Sequence, residues 1–140
     1  MEWVPRPPRG RVVTGVRRVE TGDVGPTGAV RLDAVARYLQ DVAAADAADA
    51  QYVAGPWWLV RRTAVRAVPG PEAWPVLGDE LAIATWAAGA GRAWAERRTD
   101  IDGTHGRIEA SALWVHVDAD GRPARLTEGF AAVYGEATEG

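Results

Sequence analysis

Few residues in this chain are able to do covalent or acid–base chemistry, because most of the usual ones are missing. There is no cysteine and all 16 basic residues are arginine, which excludes thiol nucleophiles, thiolate metal sites and lysine Schiff bases. The single serine, Ser111, lies between two alanines rather than in a glycine-flanked turn. His105 and His116 lack metal-ligand spacing. A hydrolytic reaction would therefore depend on a carboxylate that activates water or attacks directly.

Asp41 is the leading candidate for such a carboxylate. It lies in the middle of an alanine-rich run, and a carboxylate beside a partly dry alanine surface is able to activate water. Asp33, Arg37 and Asp41 also follow each other at four-residue steps, which is typical of an ordinary ion-pair ladder on a helix surface. The sequence alone supports both interpretations equally.

Three neighbouring features are candidates for assisting groups. Gln40 is able to orient a carbonyl group or a water molecule, although a helix-surface amide is the simpler interpretation. Asp23, with Glu20 before it, lies in the loop entering the helix, where turn chemistry explains an aspartate equally well. Gly28 and Ala29 are predicted to begin the helix, so their backbone N–H groups are candidates for binding a developing oxyanion, as at any helix start.

These candidates depend on one long helix, which we predict over residues 28–50. Apolar residues recur there at three- and four-residue steps and form one face: Leu32, Val35, Leu39, Val42 and Ala43. The opposite side carries alanines beside Arg37 and Asp41, which predicts a helix packed against a sheet with a second surface close to the alanines. Thr27 or Asp33 is the expected cap, and Gly55–Pro56 the expected end.

Around this helix the sequence predicts five strands. One strand, residues 11–19, precedes the helix. After Pro56 the hydrophobic period changes to 2, and four more strands follow, at residues 57–68, 80–88, 92–102 and 107–118. Strands joined by hairpins form an antiparallel sheet, and one helix covers five strands only if the sheet curls around it. We therefore expect an α+β protein with a single hotdog domain.

Composition and length fit one such domain. Hydrophobic residues make up 47% and charged residues 25%, a balance typical of soluble globular proteins. We expect an extended arm at residues 1–10, the hotdog domain at 11–134 with a short edge strand within 122–133, and a flexible tail at 135–140. A net charge of -3 without a basic block argues against a nucleic-acid partner. No apolar run is long enough to span a membrane and no signal core is present, so we predict a cytoplasmic protein without cofactor or metal.

Several short motifs follow each other in an order that is informative. They are a proline-rich loop, then Gly78-Asp79, then Thr85-Trp86, and finally an alanine- and serine-containing strand that ends in Trp114-Val115. Together with the helix segment Leu39-Gln40-Asp41-Val42-Ala43, this order resembles the N-terminal hotdog unit of the acyl-ACP thioesterase family. The resemblance extends from about residue 17 to residue 127, and it implies a hotdog fold and hydrolysis of acyl thioesters.

The resemblance also implies a departure from the plant-type members, which have two hotdog units. Their catalytic Asp, Asn and His lie in the loop entering the helix of the second unit. Gly25, Thr27 and Ala29 stand at the matching places here, so that catalytic set is not carried over. A homodimer, or a dimer of dimers, would rebuild the two-unit architecture. The segment around Asp41 is also similar to the helix of phenylacetate-type single-hotdog thioesterases, in which a mid-helix acid acts at the dimer interface.

We therefore expect a dimeric acyl-thioester hydrolase in fatty acid or polyketide metabolism, in which Asp41 directs water. Its substrate would be an acyl thioester on phosphopantetheine, carried by CoA or by an acyl carrier protein. Trp57, Trp58 and Trp86 are candidates for lining the acyl site, although core packing explains them equally well. Arg61 is a candidate for holding phosphate, together with Arg62, Arg97 and Arg98.

Two alternatives stay open at this stage. The lost entry-loop residues favour a non-catalytic hotdog protein that binds acyl or polyketide groups. A hotdog dehydratase is disfavoured because no histidine is predicted near the helix, and elimination needs an acid–base pair.

Overall fold

The computed structural model describes residues 3–52 and 57–138, with the backbone alone of Trp57. Its elements, in chain order, are β1 Val12–Arg18, α1 Leu32–Asp49, β2 Trp57–Val68, β3 Glu80–Ala90, β4 Trp94–Gly103, β5 Gly106–Val117 and α2 Glu128–Thr138. The strands form one antiparallel sheet in the order β1-β3-β4-β5-β2, curled around α1. The predicted α+β hotdog fold is confirmed. Gly55–Pro56, the expected end of the helix, lies outside the described residues.

The connections within the sheet differ from the prediction at one point. β3–β4 and β4–β5 are hairpins, and the second has Thr104 and His105 at its tip between the paired Gly103 and Gly106. β2 pairs with β5 rather than with β3, so residues 69–79 cross the sheet instead of forming a hairpin. A Cβ on Gly106, whose φ is +144°, would lie 2.5 Å from the Val68 carbonyl oxygen, so this crossing requires glycine.

The face that α1 turns towards the sheet is rotated from the predicted one. Its buried residues are Ala34, Val35, Tyr38, Val42 and Asp46, which pack with Leu81, Ile83, Ile101 and Ile108 from the sheet. Leu32 is 64% exposed because Tyr38 and Asp46 take the inner positions, where each finds polar partners. Arg31, rather than Thr27 or Asp33, occupies the N-cap position.

The N-terminal arm covers the face of the sheet that points away from α1. Residues 3–10 contain no helix or strand. Val4 packs with Trp86 and its neighbouring alanines, and its carbonyl oxygen accepts a hydrogen bond from the buried Arg98 at 3.2 Å. The Arg98 guanidinium also lies 5.0 Å from the centre of the Trp3 ring. The arm therefore covers the part of the outer face around Trp86 and Arg98.

The C-terminal region corrects two predictions. The edge strand expected within 122–133 is wrong, because residues Glu128–Thr138 form α2. The flexible tail expected from residue 135 is contradicted over 135–138, which form the last turn of that helix. The physical reason is the four-residue spacing of Phe130 and Tyr134, which places both on one side of a helix that packs against the sheet, with Leu126 packed against them from the preceding segment.

A buried carboxylate fixes the second half of α1. Asp46 is only 1% exposed, and it forms ion pairs with Arg11, just before β1, and with Arg97 of β4 at 2.9 Å. The Arg11 guanidinium also donates to the Asp46 carbonyl oxygen at 3.2 Å. Removing one partner of a buried ion pair leaves an uncompensated charge, so these contacts hold helix and sheet in one relative position.

We expect Asp46→Ala to lower the free energy of unfolding by about 3–5 kcal/mol, because it leaves Arg97, whose side chain is only 15% exposed, without its carboxylate. Asp49→Ala is the matched control, since Asp49 also pairs with Arg11 but is 70% exposed, and its loss is expected to cost about 0–1 kcal/mol. Urea unfolding followed by circular dichroism measures both. Equal losses for the two variants would contradict this assignment.

Candidate functional site

An apolar cavity of about 210 Å³ lies between α1, α2 and the sheet. The helices and the segment between α1 and β2 line it with Gln40, Ala43, Ala44, Ala47, Tyr52, Phe130 and Tyr134. The sheet lines it with Trp58, Ala87, Ala95, Glu96, Arg97 and Trp114. A concave, mostly apolar space with a few polar groups is the usual form of a small-molecule site.

The cavity exists because small residues stand where helix and sheet face each other. The alanines of α1 oppose Ala87 and Ala95 of the sheet, and these short side chains leave the gap open. Aromatic rings close its far end. Phe130 lies 5.7 Å from Trp58 and 5.1 Å from Tyr134 between ring centres, and Tyr52 packs edge-on against both α2 rings. The result is a preformed apolar site with rigid aromatic walls.

A smaller space of about 50 Å³ continues the cavity along α1. The two share Gln40, Arg97 and Trp114 as lining residues, and the smaller one reaches Val60 and Thr63 of β2. β2 is an edge strand, because it pairs only with β5. Together the two spaces form a groove that runs from the aromatic end to the β2 edge. It is here called the acyl groove, after the acyl site that the sequence leads us to expect.

The polar side of the acyl groove is built on Arg97. Its guanidinium lies 2.9 Å from the Asp46 carboxylate and donates to the Thr85 hydroxyl at 3.2 Å. It also lies 5.8 Å from the centre of the Tyr134 ring. Burial raises the pKa of the Tyr134 phenol, and the nearby Asp46 charge adds to the shift, so this hydroxyl stays protonated at neutral pH.

The predicted substrate-binding residues are divided between the two faces of the sheet. Trp58 lines the acyl groove, as does Gln40, the predicted catalytic assistant, and Arg61 is exposed on β2. Trp86 does not fit the prediction, because it is 1% exposed and packs under the N-terminal arm on the opposite face. The side chain of Trp57 lies outside the described residues.

Asp41 lies on a different side of α1 from the cavity. Its carboxylate is exposed and accepts a hydrogen bond from Arg17 of β1 at 2.7 Å. The expected ladder along the helix is replaced by pairs with residues outside it, since Asp33 pairs with Arg31 and Arg37 pairs with Asp23. Gln40, one residue earlier, is the polar side chain of α1 that borders the groove.

Asp23 is buried, and both of its carboxylate oxygens accept hydrogen bonds. It is 4% exposed and accepts hydrogen bonds from the Tyr38 hydroxyl at 2.7 Å, the Glu20 amide at 3.0 Å and the Arg37 guanidinium. Burial alone would raise its pKa, but these donors outweigh burial and lower the pKa from 3.8 to about 2. The charged carboxylate therefore holds the entry loop against α1.

Gly28 and Ala29 do not begin the helix, contrary to the prediction. Gly28 has a φ of +84° and donates its N–H to the Gly25 carbonyl at 3.0 Å. Ala29 forms an isolated bridge with Val76, and α1 starts three residues later. The two residues form a turn before the helix, so their amides are not helix-start donors.

Sequence reasoning missed the aromatic end of the cavity and the role of Arg97. Phe130 lies within the predicted edge strand and Tyr134 just after it, although their four-residue spacing is a helix signal. Arg97 was expected to bind phosphate, yet it is half-buried against Asp46. His116 is buried beside Trp58, and its Nδ1 lies 3.0 Å from the Ala124 carbonyl oxygen.

Two further structural observations concern only the residues that the structure describes. Across residues 3–52 and 57–138, histidine, aspartate and glutamate side chains do not form a group of three that is able to hold a metal ion. In the same part of the chain, neither helix combines the length and apolarity needed to cross a membrane.

A curled antiparallel sheet around one helix, with an apolar groove between them, defines a hotdog domain. The chain belongs to the acyl-ACP thioesterase family, because the model of the acyl-ACP thioesterase N-terminal domain matches residues 12–134. It is also 36% identical over 139 residues to an uncharacterised protein of Mycobacterium tuberculosis, and the match covers 97% of this chain and 54% of that protein. The chain thus spans about half the length of the curated relatives it matches.

Solved structures with a similar fold include one that is about twice as long as the match and one that the match covers almost completely. The 12:0-ACP thioesterase from Umbellularia californica superposes with a TM-score of 0.76 at 20% identity, covering 93% of this chain and 55% of that chain. The 4-hydroxybenzoyl CoA thioesterase from Pseudomonas superposes with a TM-score of 0.73 at 17% identity, covering 89% and 99%. At these identities the likeness shows the fold, and this chain corresponds to one hotdog unit.

The lowered pKa of Asp23 predicts a defined loss of stability in acid. A carboxylate whose pKa is depressed in the folded state stabilises it above the ordinary pKa, and this contribution disappears as pH falls from about 4 to about 2. We expect the stability difference between the wild type and Asp23→Asn to be constant above pH 5 and to narrow over that window.

Urea unfolding at pH values from 2 to 7 measures this difference. Asp102→Asn, which removes an exposed carboxylate of the same type, is the control and should show a smaller difference at every pH. A difference for Asp23→Asn that does not change with pH would contradict the assignment.

Proposed function

We propose that this chain is the acyl-binding hotdog unit of an acyl-thioester hydrolase. The observation that carries the proposal is the acyl groove, an apolar space between the alanine side of α1 and the sheet in a member of the acyl-ACP thioesterase family. Its alanines and aromatic rings suit an apolar acyl group, and Gln40 at its border suits the polar thioester end.

In the proposed reaction, water attacks the thioester carbonyl carbon and the carbon–sulfur bond breaks. A carboxylate takes the proton of the attacking water, and the thiolate leaves and is protonated. Asp41 is the proposed carboxylate and Gln40 the proposed group that orients the carbonyl. Because Asp41 lies on a different side of α1 from the groove, against Arg17 of β1, the proposal requires the acting Asp41 carboxylate to come from a second hotdog unit.

The second unit is a second copy of this chain or the remaining half of a protein as long as the relatives. The supporting feature is the β2 edge, where the acyl groove ends. β2 has one free side in the sheet, and Leu59 and Val60 are exposed on it at 53% and 37%. A free edge with exposed apolar residues is a natural surface for strand pairing. A homodimer or a dimer of dimers satisfies this arrangement.

The proposed substrate is an acyl thioester on phosphopantetheine, delivered by CoA or by an acyl carrier protein. Arg61 and Arg62 are exposed on β2, near the open end of the groove, and guanidinium groups bind phosphate and acidic partners well. Arg97 and Arg98 are less suitable because both are engaged in internal ion pairs. Work in fatty acid or polyketide metabolism and a cytoplasmic location remain predictions from sequence.

A non-catalytic acyl-binding protein is the second candidate, and one observation favours it. Among the described residues that line the cavity, Glu96 is the one acid, and its carboxylate accepts a hydrogen bond from the Ser111 hydroxyl at 2.6 Å. Ser111 and Glu109 lie on the sheet face away from α1, so this carboxylate is directed away from the groove. Such a protein would bind acyl thioesters without cleaving them.

Hydrolysis assays separate the two candidates. We expect the wild type to hydrolyse members of a panel of acyl-CoA and acyl-carrier-protein thioesters, and Asp41→Asn to lower kcat by about 100-fold or more. Asp33→Asn is the matched control, because it is another exposed, ion-paired aspartate of α1. Ligand binding without turnover by the wild type would instead support the binding protein, and full activity of Asp41→Asn would remove Asp41 from the reaction.

If the second unit pairs with β2, a charge on the β2 edge should disrupt assembly, whereas a charge on the β1 edge should not. Leu59→Glu places a charge on the proposed pairing edge and is expected to convert dimers to monomers. Val16→Glu is the control on the other edge strand, β1, where Val16 is 81% exposed. Analytical ultracentrifugation reads the mass of each variant. A dimer that survives Leu59→Glu but not Val16→Glu would place the interface at β1.

A further inference from the structure

One end of the acyl groove is formed by aromatic rings of α2. Phe130 and Tyr134 both line the 210 Å³ cavity. Phe130 is only 7% exposed, and its ring centre lies 5.7 Å from that of Trp58 and 5.1 Å from that of Tyr134. The Phe130 ring is thus held by two neighbouring rings, and it is unable to turn aside without losing both contacts.

The position of Phe130 along the groove differs from that of the polar border. Among the described residues, Phe130 and Tyr134 line the larger space but not the smaller one, whereas Val60 and Thr63 line the smaller space alone. Gln40 lines both spaces and is exposed. An acyl thioester whose carbonyl lies at Gln40 therefore extends its chain through the larger space and meets the Phe130 ring at the end.

The volume of the larger space limits how much of an acyl chain it holds. A dry cavity of about 150 Å³ in another protein binds benzene, which has six carbon atoms. On that scale, a space of about 210 Å³ holds about eight carbon atoms. A longer chain has to displace the Phe130 ring or leave its last carbons in water.

We propose that Phe130 sets the upper length of the acyl group, and that the groove selects compact acyl groups of about eight carbons or fewer. This inference rests on the proposed function, because it names the substrate class of the same groove. Each CH₂ group buried in the groove tightens binding by up to about fourfold. A CH₂ group that finds no room before the Phe130 ring adds nothing, so Phe130 is a specificity-determining residue.

Calorimetry with ligands of increasing length tests this limit. The ligands are amide analogues of N-acetylcysteamine thioesters that carry butanoyl, hexanoyl, octanoyl, decanoyl or dodecanoyl groups. For the wild type we expect the affinity to rise by up to about 16-fold at each step as far as octanoyl, and to level off by decanoyl. An affinity that keeps rising through dodecanoyl, or that does not depend on chain length at all, overturns the proposal.

Substitution of Phe130 identifies the residue that sets the limit. Phe130→Ala removes the ring, so dodecanoyl should then bind about tenfold or more tightly than octanoyl. Phe130→Leu retains an apolar side chain that supports the fold, and it should move the limit in the same direction by a smaller step. Circular dichroism checks the fold of each variant.

Val133→Ala is the matched control for these variants. Val133 is also on α2 and packs against the same aromatic cluster, but it is not among the residues that line the cavity. Its loss should leave the limit where it is in the wild type. A limit that stays unchanged in the folded Phe130 variants, or that moves equally in Val133→Ala, contradicts the proposal.

The outcome is separable from that of the proposed hydrolysis. A length limit set by Phe130 in a protein that does not cleave thioesters would keep this inference and reject the hydrolase. Cleavage of thioesters without a length limit would keep the hydrolase and reject this inference. Binding of none of the ligands would reject this inference, and the hydrolysis assay would then decide the proposed function by itself.

Discussion

The structure depends on one helix, α1, which packs against the curled sheet on one side and borders a groove on the other. A single helix is too narrow to fill the concave side of five strands, so its two sides must differ. On α1, Val35, Tyr38 and Val42 fill one half of the concavity and make the core with β3, β4 and β5. On the other side, Ala43 and Ala47 are too short to reach the sheet, and the space that remains is the acyl groove. The core and the candidate site are thus two consequences of one amphipathic pattern.

Buried ion pairs at both ends of α1 fix its orientation against the sheet. Near the start of α1, Asp23 binds Tyr38 and Arg37, and near its end Asp46 binds Arg11 and Arg97. Each carboxylate is almost fully buried and would be costly without its partners, so a rotation or slide of the helix breaks charged contacts at both ends. A groove lined by alanines has little packing of its own to resist collapse. Ion pairs at the two ends therefore supply the rigidity that a preformed binding site needs.

The change from a helical to an alternating period was enough to predict the helix, the five strands and their curled arrangement. The alternation in β3 also separated Leu81, Ile83 and Thr85 from Ala84 and Trp86, but it did not show which set faces the helix. Both sets are buried, since the N-terminal arm covers the outer face, and contacts between distant segments are not visible in local patterns. For the same reason Trp86 was assigned to the groove, and the aromatic end supplied by α2 was missed.

The placement of polar groups limits what one unit is able to do in the proposed hydrolysis. Water-directed hydrolysis needs an acceptor for a proton close to the thioester carbonyl. In this chain the carboxylates near the groove are either bound internally, as Asp46 is, or directed elsewhere, as Glu96 and Asp41 are. The groove meanwhile ends at a strand with a free edge. In the proposed function, an acyl group held in this unit would therefore present its carbonyl towards a second unit paired with β2, which would supply the proton acceptor that the groove lacks.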